Sequence, residues 1–254
     1  MNSINIQSLI NIAGKAGDAI LEIYNDSDFS SVVDFKSDNS PLTLADKASH
    51  VVIEKNLTET YPDIPLISEE GEQYEFDQRK EWDTFWLIDP LDGTKEFIKR
   101  NGEFTVNIAL IHHGKPVLGV VYTPVKDVCY YGEEGKGAFK ISRDHEKPLK
   151  VNNNDPKSVA VRSKSHPSPE EEVVLDRYGV KESISVGSSL KFCMVAEGKA
   201  DIYYRHGPTM EWDTAAGQAV LEAAGGKVYQ GNTEDVPFTY NKESLLNGSF
   251  LCIG

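Results

Sequence analysis

The chain is short of sulfur and of positive charge. It holds three cysteines, Cys129, Cys193 and Cys252, widely spaced and without a C-x-x-C pair. An odd, scattered set of thiols points away from a disulfide framework and toward reduced, structural cysteines in a cytosolic protein. Lysine and arginine number 26 against 40 aspartates and glutamates, a formal charge of −14. The basic footprint that nucleic-acid binding needs is therefore missing. Small anionic substrates remain compatible, because a bound cation reverses the charge locally. Long hydrophobic runs are missing too. The longest lie near Val106–Ile111 and Val117–Val125, well under the roughly 20 residues of a membrane-spanning helix. No integral membrane segment is expected, and the first 26 residues read as an amphipathic helix with Lys15, Asp18 and Glu22 rather than an export signal. Repeats and low-complexity segments are also lacking.

What is present is an ordinary globular composition, 39% hydrophobic and 26% charged over 254 residues, enough for one large domain or two smaller ones. Ile6, Leu9, Ile10, Ala13, Gly17, Ile20, Leu21 and Tyr24 share one helical face. Ser31 to Ser40 reads as a loop or short hairpin. A second helix should start at Thr43, where Thr43 and Asp46 have capping-box spacing, and end at Tyr61-Pro62-Asp63. Pro65-Leu66-Ile67 and Phe85 to Asp89 read as strands, with a polar loop between them. Phe104 to Leu110 and Val117 to Tyr122 alternate and suggest a hairpin, and a second hairpin should turn at Gly132 to Gly137. The polar stretch Arg143 to Asn154 is the expected domain boundary. Beyond it strands and helices alternate through Val159-Ala160-Val161, Pro169–Tyr178, Ser183–Val186, a helix ending near Gly198, Ala200–Tyr204, Asp213–Ala224 and Lys227–Tyr229. The expectation is an α+β unit over 1–150, carrying a metal site, and an α/β unit over 151–254 that completes it.

Five acidic residues and one threonine stand out, in Ser68-Glu69-Glu70, Asp89-Pro90-Leu91-Asp92-Gly93-Thr94 and Trp212-Asp213. Clustered carboxylates repel, and oxygen ligands of this kind suit a hard cation such as Mg²⁺. Asp89 and Asp92 follow an apolar run, so a strand leading into a tight turn would present two carboxylates and the Leu91 carbonyl to one point. Gly93 permits close backbone approach, and Thr94 opens a short helix suited to an anion. Taken singly, each carboxylate has a plainer role. Asp46 and Asp213 read as helix caps, Asp89 and Asp92 as turn caps, and Glu70, Glu72 and Glu75 as a solvated loop. Their joint occurrence outweighs those roles.

In order along the chain, Asp46, Glu69-Glu70, Asp89 to Thr94 and Trp212 to Gly217 resemble the Mg²⁺-dependent, lithium-sensitive phosphatase family that includes inositol monophosphatase and fructose-1,6-bisphosphatase. Trp86 to Ile98, Gly187 to Cys193 and Gly207-Pro208-Thr209 are similar to its bisphosphate nucleotidase branch, and Glu96 stands where inositol-type members carry Asn. The resemblance implies a layered αβαβα sandwich, inositol monophosphatase-like, with the site between its halves. It implies removal of the 3'-phosphate of adenosine 3',5'-bisphosphate, with 3'-phosphoadenylyl sulfate as a second candidate substrate, during sulfate assimilation. Two or three Mg²⁺ are implied, held by Glu69, Asp89, Leu91, Asp92 and Asp213. Catalytic roles fall to Asp46, Glu69 and Thr94. Substrate contacts fall to Glu69, Leu91, Asp92, Gly93, Thr94, Ser163, His166, Gly187, Ser188, Lys191 and Asp213. The resemblance also implies a cytoplasmic protein. Peripheral attachment to the cytoplasmic face of the inner membrane, described for some relatives, finds no basic amphipathic segment here that demands it. Monomer and dimer both stay open. Two competing readings are an inositol-phosphate phosphatase with the same metals, and a non-catalytic metal or nucleotide sensor.

Overall fold

The computed structural model describes residues 4–25, 33–35, 41–143, 145–164 and 168–254, with backbone alone at 33–35 and 41–43. Helix α1 (Ile6–Tyr24) is capped by Asn5, whose side chain accepts the Gln7 N–H at 2.9 Å. A ribbon of β1 (Val33–Phe35) and β2 (Pro41–Thr43) leads into α2 (Leu44–Thr60). The segments β3 (Leu66–Ser68), α3 (Phe76–Arg79), β4 (Thr84–Asp92) and α4 (Thr94–Ile98) follow. Four antiparallel strands come next, β5 (Thr105–His112), β6 (Lys115–Thr123), β7 (Val128–Glu133) and β8 (Gly137–Ser142), and then β9 (His145–Leu149). These strands, β3 to β9, form a seven-stranded sheet in sequence order, with only β3 and β4 parallel.

The second half supplies β10 (Val159–Ser163), α5 (Pro169–Arg177), β11 (Glu182–Val186), α6 (Leu190–Ala196) and β12 (Ile202–Arg205). It continues with β13 (Thr209–Met210), α7 (Glu211–Ala223), β14 (Lys227–Gln230), β15 (Leu246–Asn247) and β16 (Phe250–Ile253). Its five-stranded sheet has the order β11-β10-β12-β16-β14, parallel across β11, β10 and β12 and antiparallel beyond.

Strand alternation divides the apolar residues into layers. Trp86 and Ile88 of β4 face α1 and α2, while Phe85 and Leu87 face α6 and α7. In the second sheet Tyr203, Phe250 and Cys252 join that same central cluster, and Ile202, Tyr204, Leu251 and Ile253 pack with Val174 and Leu175 of α5. The stack is therefore helices, sheet, helices, sheet, helix: the expected αβαβα sandwich. The run Phe85-Trp86-Leu87-Ile88 is continuously apolar because β4 is buried on both faces.

Helix α7 is the middle of the stack. Every residue from Thr214 to Leu221 is buried, so it has no solvent face. Small residues let it lie against the sheet. A Cβ on Gly119 of β6 would stand 2.5 Å from the Ala216 carbonyl, and one on Gly132 of β7 would stand 2.8 Å from Val220 Cα.

Several elements depart from the sequence reading. The polar loop after Glu70 contains the single turn α3. The polar stretch Arg143 to Asn154 contains β9, an edge strand with four exposed residues that lacks an apolar face. The tail forms β16, a central strand, although no element is read from the sequence after Tyr229.

The seat of α7 gives a paired prediction. Gly119→Ala should cost about 1–3 kcal/mol through overpacking against backbone. Gly14→Ala on α1, where an added Cβ meets nothing within 4 Å, should gain about 0.5–1 kcal/mol. Thermal denaturation of both variants checks the opposite signs; a Gly119→Ala protein as stable as wild type would contradict the close seat.

Candidate active site

Asp89 and Asp92 are three residues apart on β4, a spacing that in a regular strand would point them to opposite faces. The register prevents this. Asp89 pairs with Asn107 and Asp92 with Thr105, so three steps on β4 match two on β5. The extra residue is a β-bulge, and it returns both carboxylates to one face. Pro90 lies within it, where no ladder N–H is needed. The bulge is pinned from both sides: Ser49 of α2 donates to the Pro90 carbonyl at 2.7 Å, and the Leu91 N–H donates to Asp89 Oδ1 at 3.1 Å. The parallel neighbour β3 delivers Glu69, whose N–H donates to the Ile88 carbonyl at 3.2 Å. Gly93, at φ 95, then turns the chain into α4.

Asp213 arrives from the other half. It sits in the first turn of α7, and its Oδ2 accepts the Met210 N–H at 2.8 Å. The plainer role as a helix cap is therefore real, and it leaves the other oxygen available. Carboxylate oxygens of Glu69, Asp89 and Asp213 all lie within 4.8 Å of one another. Three hard oxygen donors at that spacing fit a divalent cation of the Mg²⁺ or Ca²⁺ kind. Asp92 lines the same cavity but stands outside this trio. Ser189 Oγ lies 2.8 Å from Asp92 Oδ2 and 2.9 Å from the Asp213 carbonyl, and Asn107 Nδ2 donates to the same serine at 2.9 Å.

Burial and mutual repulsion set the electrostatics. Asp89 is 1% exposed. Loss of solvation, then the charges of Glu69, Asp92, Asp213 and Asp46, raise its pKa well above the usual carboxylate range. Burial, followed by the charge of Asp92, does the same to Asp213. Asp92 is raised by burial as well, with Lys191 and Ser189 opposing the rise. Asp46, in the first turn of α2, is buried behind the cavity rather than on its wall.

The cavity measures about 390 Å³ and lies between the two halves. Glu69, Asp89, Leu91, Asp92, Gly93, Thr94, Ser163, Gly187, Ser188, Lys191 and Asp213, all expected at the site, line it. His166 is outside the described residues. Lys191 is buried; its ammonium donates to the Ser188 carbonyl at 2.5 Å, and desolvation lowers its pKa while Asp92 pulls it back up. Ser188 takes a left-handed φ of 49, and its buried hydroxyl has no hydrogen-bond partner within the protein. The Gly187 N–H donates to Glu103 Oε2 at 3.0 Å, across the cleft.

Sequence reasoning missed Arg205, which closes β12 and lines the cavity. Its alternation with Tyr203 on a buried strand was the available signal: both reach the cavity, whereas Tyr204 faces α5. Ser189 and Thr209 lie in segments that carry the resemblance but were not assigned to the site.

No described helix is long and apolar enough to cross a membrane. The model of the inositol monophosphatase family matches residues 4–251. The 3'(2'),5'-bisphosphate nucleotidase CysQ of Escherichia coli (strain K12) is 49% identical over 245 residues, covering 96% of this chain and 98% of its own. The protein of the same name from Haemophilus influenzae is 37% identical, covering 87% and 83%. The crystal structure of CysQ from Bacteroides thetaiotaomicron, described as a bacterial member of the inositol monophosphatase family, superposes with a TM-score of 0.85 at 46% identity, covering 98% and 96%.

The repulsion inside the trio is testable on metal-free protein. A raised carboxyl holds in the folded state a proton that the unfolded chain releases. Its favourable contribution is thus present below the unfolded pKa, near 3.8, and is lost as pH rises toward the folded value. Metal-free Asp89→Asn should therefore melt above wild type, with a gap that widens as pH rises above the free carboxylate value. A saturating divalent cation should reverse the order. A variant that melts lower at every pH without metal would contradict the account.

Proposed function

Because the chain belongs to the inositol monophosphatase family, we propose that it is a 3'(2'),5'-bisphosphate nucleotidase, a phosphomonoesterase that converts adenosine 3',5'-bisphosphate to AMP and phosphate. The observation that carries this reading is one cavity whose wall holds an acidic trio and two cations, Lys191 and Arg205. A substrate with two phosphates fits that lining: one phosphate is cleaved at the acidic trio and the other is held by the cations. The relatives named above support the branch, and sulfate assimilation is the process in which such a by-product is cleared.

The cation we assign is Mg²⁺, two or three per site, held by Glu69, Asp89, the Leu91 carbonyl, Asp92 and Asp213. Bound there, it would neutralise the charge that develops on the transferred phosphoryl group. The protein's own groups place the reactants. Glu69 orients the attacking water with Thr94, and Asp46 supports Thr94 from behind. The first turn of α4, at Gly93 and Thr94, holds the phosphate. Asp213, at the start of α7, also reaches a ribose hydroxyl. Ser163, Gly187, Ser188 and Lys191, with His166 and Arg205, form the nucleotide side. The division at 150/151 then has a functional sense: the first unit carries most of the metal ligands, and the second adds Asp213 and the nucleotide wall. The three buried, unpaired thiols support a cytoplasmic location.

Phosphate release with Mg²⁺ tests the proposal, comparing adenosine 3',5'-bisphosphate, inositol 1-phosphate and fructose 1,6-bisphosphate, each with and without Li⁺. A strong, Li⁺-sensitive preference for the nucleotide is expected. Preference for inositol 1-phosphate would overturn the branch, and no release from any substrate would favour a sensor. Lys191→Met should raise the KM for the bisphosphate by about ten- to a hundredfold, the loss of one or two charge-assisted hydrogen bonds.

A further inference from the structure

The cleft does not explain a second buried charge pair, located behind Asp213. Glu211 lies two residues before Asp213 and is 0% exposed. Its carboxylate accepts Lys242 Nζ at 2.5 Å, the Lys242 N–H at 3.1 Å and the Asn241 N–H at 2.8 Å. A buried carboxylate persists only with such partners. Lys242 Nζ also donates to Asn247 Oδ1 at 3.0 Å and to the Thr239 carbonyl at 3.1 Å, which uses all three of its hydrogens. Asn247 Nδ2 in turn reaches the Met210 carbonyl at 2.8 Å and Thr214 Oγ1 at 3.3 Å. The Met210 N–H is the group that donates to Asp213 Oδ2.

We propose that Lys242 and Asn247 are positioning residues for the Asp213 carboxylate. The inference rests on the metal reading above. The network grips the chain on both sides of Asp213, at Met210 and Glu211 before it and at Thr214 after it. Asp213 thereby keeps Oδ2 engaged by Met210 while its carboxylate stays within 4.8 Å of those of Glu69 and Asp89. The loop that supplies Lys242 is fixed to the first half of the molecule. Arg79 donates to Asn241 Oδ1 at 2.8 Å and to the Lys242 and Glu243 carbonyls at 2.8 and 2.9 Å, and Asn241 Nδ2 donates back to the Arg79 carbonyl at 2.9 Å. Arg79 belongs to the segment that follows Glu69. One network therefore references the ligand from the second half to the segment that carries a ligand of the first.

The test is calorimetric titration of substrate-free protein with Mg²⁺, on wild type, Asp213→Asn, Lys242→Met, Lys242→Arg and Asn247→Ala, with thermal denaturation of each. Lys242→Met and Asn247→Ala should weaken cation binding by about tenfold or more, as loss of an outer-shell partner does, and Lys242→Arg should recover most of it. At saturating Mg²⁺ the KM for the nucleotide should stay within about twofold of wild type while kcat falls. Asn247→Ala leaves the Lys242–Glu211 pair intact, so it carries the test if Lys242→Met does not fold. Wild-type Mg²⁺ affinity in Asn247→Ala, with only the melting temperature lowered, would overturn the positioning role. Wild-type protein that binds no Mg²⁺, or Asp213→Asn that binds it equally well, would overturn the metal reading and this inference with it.

Discussion

Direct backbone contact between α7 and the seven-stranded sheet is the constraint on which the rest depends. Gly119 and Gly132 leave no side chain between strand and helix, so Ala216, Ala219 and Val220 rest on β6 and β7 themselves. A helix held that closely cannot slide or tilt without collision, since packed interiors resist small displacements. Its first turn is thereby delivered to the end of β4, and Asp213 meets Glu69 and Asp89. Carboxylates would not gather there unaided, because burial and like charge both oppose it. The packing of a large apolar core holds them in place. Repulsion is relieved by a cation or, in its absence, by retained protons.

Charge in the molecule is arranged against its overall sign. The surface is acidic, yet Lys191 and Arg205 face inward in the cleft. An acidic protein takes an anionic substrate by concentrating positive charge, its own and that of bound cations, where the phosphates must lie. Ser189 joins the two halves. It touches Asp92 of the first half and the Asp213 carbonyl of the second, so the two halves share one hydrogen-bonded seam at the cavity.

Much of this was legible in the sequence because it is local. Helical periodicity marked α1, alternation marked the β5–β6 hairpin, and the acidic motifs marked the walls of the cavity. What was not legible depends on tertiary context. The β4 bulge reads as a strand followed by a turn, because one extra residue in a register leaves no compositional trace. Helix α7 reads only as a helix, since Ala215, Ala216 and Ala219 do not announce burial on every side. Strand β9 is polar because it is an edge, and Lys242 looks like any surface lysine until Glu211 is found beneath it. Asp213 illustrates the overlap: a helix cap and a cleft carboxylate are the same residue.

The most direct test is crystallographic, with Mn²⁺ and the products AMP and inorganic phosphate soaked together and anomalous scattering used to find the metal. The account predicts an anomalous peak within coordination distance of Glu69, Asp89 and Asp213, the free phosphate beside it, and the 5'-phosphate of AMP at Lys191 and Arg205. A peak away from that trio, or a nucleotide bound outside this cleft, would contradict it.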